Sequence, residues 1–192
     1  SVHMVTPHGF LDEWLRDKAA TKTDSTIRKY KSVAREFLKV LGIKADLNIT
    51  LVGHTDLLNY RDSEVASGKS ASTVNWNVRT LRVAFKLARQ RGLITFNPAD
   101  GIDSIPGERQ QRSTFTREQL KVLLGSADIE WKGMILFGTH HGLRIGDASS
   151  LAWGDIDWER KSFLIRPQKT RNLGSSKVEE MPLHPETLGY LE

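Results

Sequence analysis

The sequence predicts a mainly α protein: a helical bundle followed by a partial α+β unit with a small antiparallel sheet. Three observations predict it. Apolar residues recur at spacings of three and four through residues 8–95, the period of helices that bury one face. The stretch NPADGIDSIPGERQQRS, residues 97–113, then brings prolines and glycines without periodicity, as a linker does. Beyond it, helical patterns give way to SFLIRP (162–167) and KVEEMPL (177–183), two strand-like runs around a polar loop. The organisation read from these is a helical domain over 5–96, a linker over 97–113 and a second unit over 114–192.

Each element has its own signals. The first helix spans about Gly9 to Ala20. The second spans about Ser25 to Leu41, with Asp24 or Ser25 as N-cap and Gly42 just past its end. The third runs from Thr55 to Ser67 and stops at Gly68; the fourth runs from Ala71 to Arg91 and stops at Gly92. After the linker, Thr116 and Gln119 fit a capping box for a helix through Leu124. Another helix is expected from Trp131 to His141, ended by Gly142, and a short one from Arg144 to Ala152. A short strand is expected near Ile156–Glu159, ahead of the two longer ones, and His184-Pro185-Glu186 opens a last helix.

Bulk properties narrow the function classes. The chain has 192 residues, 39% hydrophobic and 27% charged, an ordinary globular balance. No apolar run approaches the ~20 residues of a membrane span. No secretory signal is evident, and the absence of cysteine removes disulfide and thiolate chemistry. A cytoplasmic, nucleoid-associated location is expected. Net charge is +5, divided as +7 over residues 1–97 and −2 over 98–192. A basic front half suggests a polyanionic partner.

Two helices sharpen that suggestion. In the second, Ile27, Tyr30, Ala34, Phe37 and Leu41 form an apolar stripe, and Arg28, Lys31, Arg35 and Lys39 follow about one residue behind. In the fourth, Val74, Val78, Leu81, Phe85 and Ala88 are flanked by Arg79, Arg82, Lys86 and Arg89. One residue is ~100° of helix, so each basic stripe borders the buried face. Neither stripe contains an acid, and Glu36 lies off it. Packed together, the two helices are expected to present a continuous basic surface to the phosphates of double-stranded DNA. Thr73, Asn75 and Asn77, near the start of the fourth helix, are candidates to read base edges.

The stretch HHGLRIGDASSLAWGDID, 140–157, carries a second kind of signal. Arg144 stands just past Gly142, among Leu143, Ile145, Ala148 and Leu151, an uncommon setting for a guanidinium. Asp147 stands three residues on and can orient it. A surface ion pair is the plain alternative. This stretch resembles the first box of the tyrosine recombinases, the phage integrases: roughly T-G-x-R-x-x-E/D-x-x-x-L-x-W-x-D-I. Gly142, Arg144, Asp147, Leu151, Trp153, Asp155 and Ile156 match it, while His141 stands where Thr or a small residue is commoner. The front half resembles the family's core-binding domain up to Asn97-Pro98. RPQKTRN resembles the hairpin of its catalytic lysine, which falls on Lys169.

The resemblance implies metal-free phosphoryl transfer on DNA, with no cofactor, through a 3′-phosphotyrosyl link. Arg144 is expected to hold the phosphate, supported by Asp147, and Lys169 to protonate the leaving 5′ oxygen. Arg171, beside that lysine, is a further DNA contact candidate. A homo-tetramer on DNA is implied for the full-length family, and no membrane role. The family's second box, His-x-x-Arg, and its nucleophilic tyrosine are expected beyond Glu192. Tyr30 and Tyr60 read as core, and Tyr190 follows the hairpin too soon. The chain is therefore expected to be a truncated fragment that binds DNA without cutting it; a non-catalytic DNA-binding regulator keeping only the clamp is the alternative. His54, His140, His141 and His184 read as structural or solvated rather than as metal ligands.

Overall fold

The structure, a computed structural model, describes residues 4–107, 113–167 and 178–192. The chain divides into two compact units, Ser1–Gln110 and Gln111–Glu192.

The first unit is built on four helices: α1 (Pro7–Ala19), α2 (Asp24–Leu41), α3 (His54–Ala66) and α4 (Ala71–Gln90). The cap of α2 is Thr23, one residue ahead of the expected Asp24 or Ser25. Its backbone is extended and its Oγ1 accepts from the Thr26 amide at 3.4 Å. Ser70 caps α4 in the same way through the Thr73 amide. Gly42, at φ 53°, lets α2 end in a sharp turn. Phe10, Trp14, Phe37, Tyr60, Leu81 and Phe85 fill the core. Phe37 meets Tyr60 and Phe85 edge-on at 5.5 and 5.8 Å, pairings worth about 0.5–1.5 kcal/mol each beyond burial.

Residues 97–107, read from sequence as the start of a linker, are built into this bundle. Asn97 is buried and folds the turn by accepting from the Ala99 amide and donating to the Arg82 carbonyl. Arg82 donates from Nε to the Ala99 carbonyl at 3.0 Å and from Nη2 to the Ile102 carbonyl at 2.9 Å. The Asn75 amide exchanges two hydrogen bonds with the Ile105 backbone. Ala99 and Ile102 are thereby drawn into the core. A Cβ at Gly107 would lie 3.2 Å from Ala71 Cβ, so the segment passes close to the start of α4.

The second unit holds α5 (Arg117–Ser126), α6 (Ile129–His141), α7 (Ile145–Ala148), β1 (Ile156–Asp157), β2 (Ser162–Ile165), β3 (Glu179–Pro182) and α8 (Pro185–Leu191). The Thr116–Gln119 capping box forms reciprocally, at 3.2 and 2.9 Å. The sheet is antiparallel in the order β1-β2-β3, with Phe163 opposite Ile156 and Met181. Phe137, Phe163, Ile165 and Leu183 make the buried core. The helix expected over 144–152 is a single turn. The Asp155 carboxylate accepts from the Ala152 amide at 2.9 Å and turns the chain into a 3-10 turn instead. The strands are likewise shorter than read, because β2 ends at Ile165 and β3 starts at Glu179.

Candidate nucleic-acid interface and phosphate site

Several expected phosphate contacts of the first unit are exposed: Arg28, Lys31 and Arg35 on α2, and Arg79 and Lys86 on α4. The two stripes border different clefts. Lys31 borders a cleft shared with Asp12 and Arg16 of α1. Arg79 borders one shared with Asn75, Ser104 and Pro106. Between α2 and α4 runs a third cleft, of about 430 Å³, where Lys29, Ser32, Glu36, Lys69, Thr73 and Trp76 meet. Glu36 also joins the α2 stripe: it takes Arg35 at 2.9 Å and Lys39 at 3.2 Å. Those hydrogen bonds, Arg35's first, hold its carboxyl below the usual carboxylate range.

Three candidates have structural work inside the bundle. Asn75 holds Ile105 and Arg82 holds the carbonyls of Ala99 and Ile102. Asn77 is buried and donates to Glu64. Thr73 remains exposed, its hydroxyl 2.9 Å from that of Ser70. Sequence reading missed Glu64, 3% exposed, which takes Lys69 Nζ on Oε1 at 2.5 Å and Asn77 on Oε2. The signal was present: Leu57, Tyr60 and Glu64 recur on one face of α3, with the acid at a core position. It also missed Lys29 over the Trp76 ring at 5.9 Å.

In the second unit, Gly142 ends α6 in the left-handed region, at φ 65°. Arg144 follows in extended backbone, and its carbonyl accepts from the amides of Asp147 and Ala148 at 2.9 Å. The side chain is not packed in the core as the apolar setting suggested; it is 63% exposed. Asp147 is the buried partner, 6% exposed, with Oδ2 3.7 Å from Arg144 Nη1. The physical reason is the extended backbone at 144, which turns the long side chain outward while the α7 turn carries Asp147 inward. Lys169 and Arg171 lie outside the described residues. Each tyrosine is committed elsewhere: Tyr60 is fully buried, Tyr30 stacks between Trp14 and Trp76, and Tyr190 donates to the Ile129 carbonyl.

Three histidines join α6 to α8 next to this turn. The rings of His140 and His184 stack at 3.9 Å. His140 Nδ1 and His141 Nε2 lie 3.0 and 3.3 Å from the hydroxyl of Thr187, which is fully buried. His141 packs on Phe137 and Phe163. Burial first, then neighbouring histidine charge, lowers the pKa of both His140 and His141. A lowered folded pKa means that the unfolded chain takes up protons first as pH falls. Stability from this cluster is present above about pH 6.5 and lost below it. Thermal melts should therefore show the second unit less stable at pH 5 than at pH 7.5, with the difference reduced in His140→Gln. His54, in the first unit, bonds the Pro98 carbonyl.

The chain aligns with a lambda integrase(75–356) dimer bound to a COC' core site at TM-score 0.77, with 19% identity, over 96% of this chain and 65% of that one. It is 24% identical over 172 residues to the prophage integrase IntR of Escherichia coli K12, covering 83% of this chain and 41% of the relative. It is 26% identical over 175 residues to a tyrosine recombinase XerC-like protein of Caldanaerobacter subterraneus, covering 84% and 43%. No protein-family model matches. The chain thus spans less than half the length of these two relatives. The chain is similar in sequence to integrases and tyrosine recombinases, and in fold to lambda integrase. No helix among the described residues is long and apolar enough to cross a membrane.

Proposed function

We propose that this chain binds duplex DNA and supplies the first phosphate-holding arginine of a site-specific recombinase, an enzyme that breaks and rejoins DNA through a 3′-phosphotyrosine link. The observation that carries this reading is the Arg144 turn: an outward guanidinium on a defined backbone, with a buried carboxylate behind it. A 3.7 Å ion pair is long for a hydrogen bond. The fork can therefore turn to a phosphate and take it in bidentate fashion while Asp147 limits its swing. Oriented donors of this kind stabilise the charge that grows on the non-bridging oxygens during phosphoryl transfer.

In this reading Arg28, Lys31, Arg35, Arg79 and Lys86 hold the DNA backbone, and Thr73 reaches the groove from the start of α4. Lys169 protonates the leaving 5′ oxygen, and Arg171 adds a phosphate contact. The attacking tyrosine is none of Tyr30, Tyr60 and Tyr190, so residues 1–192 bind DNA and do not cut it. A gel-shift titration of the chain with duplex DNA tests the binding. Affinity should fall by orders of magnitude between about 50 and 200 mM salt, as for other proteins that neutralise several phosphates. Absence of a shift at the lower salt would overturn the reading.

A further inference from the structure

The outer face of the sheet in the second unit is apolar, aromatic and acidic together. Strand β2 turns Phe163 and Ile165 into the core, which leaves Leu164 outward and 45% exposed. Glu180 of β3 stands opposite Leu164, and Asp157 of β1 stands opposite Ser162. On either side of β1, the exposed rings of Trp153 and Trp158 lie nearly parallel, at 6.2 Å and 17°. Trp158, Leu164, Asp155, Asp157 and Glu180 line a cleft of about 420 Å³. The chain's own Arg160 reaches across it, 3.8 Å from Asp157 and 3.8 Å from Glu180, with its side chain 71% exposed. Neither contact is within hydrogen-bond distance, so the guanidinium is held loosely.

Single exposed apolar side chains are ordinary, but a contiguous group with a polar rim marks an interaction surface. Here the chemistry selects the partner. Tryptophan faces attract cations, and the three carboxylates of the cleft outnumber its one arginine. The same carboxylates repel phosphate, which makes DNA the wrong occupant. We propose that this face docks an extended, Lys- or Arg-bearing segment of a partner protein. One cation of that segment sits on Trp158 between Asp157 and Glu180, displacing Arg160, and an apolar neighbour covers Leu164. Arg160 is the intramolecular stand-in for the incoming charge.

The test uses the intact chain and two eight-residue peptides, one alternating Lys and Leu, the other Glu and Leu, followed by calorimetry at low salt. The Lys peptide should bind and the Glu peptide should not. Trp158→Ala and Glu180→Lys should each weaken the Lys peptide about tenfold, and Arg160→Ala should tighten it. Circular dichroism checks the fold of each variant; if Trp158→Ala does not fold, Glu180→Lys, at an exposed site, carries the test. Equal binding of both peptides, no binding of either, or unchanged affinity in Glu180→Lys would overturn the proposal. So would a Trp158 indole resonance that duplex DNA shifts and the Lys peptide does not.

Discussion

Asn77→Leu lowers the stability of the helical unit by about 2–4 kcal/mol, the range for leaving a buried charged group short of a partner. The reason is the Glu64 carboxylate, 3% exposed between α3 and α4. Its Oε1 takes Lys69 at 2.5 Å, and its Oε2 takes the Asn77 amide. Leucine fills the space of asparagine and removes the amide that donates to the buried Oε2. Lys69→Met should cost less, since the lysine is 35% exposed and water can replace it in part. Adding Glu64→Leu to Asn77→Leu should recover much of the loss, because an apolar pair of similar shape leaves no charge unsatisfied. Urea unfolding measures all three. A cost below about 0.5 kcal/mol for Asn77→Leu, the level of an ordinary surface change, would contradict this account of the α3–α4 contact.

Arg144→Ala, in a protein that also carries the second box and the tyrosine, should slow DNA cleavage by roughly 10²–10³-fold, as for other lost transition-state donors. Binding should change little, because one arginine is a small share of the phosphate contacts. Stability should change less than in Asn77→Leu: the Arg144 side chain is 63% exposed and its 3.7 Å pair with Asp147 is too long for a hydrogen bond, so water can take its place. Arg144→Lys should not restore the rate, since lysine keeps the charge and loses the planar fork. The diagnostic pattern is a large loss of rate with unchanged affinity. Near-normal cleavage by Arg144→Ala would remove the role assigned to it.

The helices of the first unit were legible because their apolar positions repeat and their ends carry Gly42, Gly68 and Gly92. The box around Arg144 was legible as a spacing of residue types. What the sequence hid depends on long-range contacts. Arg82 belongs to the basic stripe of α4 by periodicity, but its guanidinium is held by carbonyls 17 and 20 residues away. Asn75 and Asn77 carry base-reading chemistry, yet their amides meet Ile105 and Glu64 across the bundle. Residues 97–105 have the composition of a linker and are held by those same side chains. The α7 helix was overestimated because Ala148 and Leu151 keep a helical spacing that the Asp155 cap interrupts. Arg144 itself was placed too deep: neighbours in sequence do not fix which way a side chain leaves a turn.

These contacts also decide which residues can test DNA binding. Arg82→Ala would loosen residues 97–105 and confuse binding with folding, whereas Arg79 and Lys86 are exposed. The most direct measurement is therefore the salt dependence of duplex DNA affinity for the chain and for Arg79→Ala/Lys86→Ala. The slope of log affinity against log salt should become shallower by about two in the variant, near one unit per phosphate contact removed, with its melting temperature unchanged. An unchanged slope would contradict the assignment of this flank of α4 to the DNA backbone.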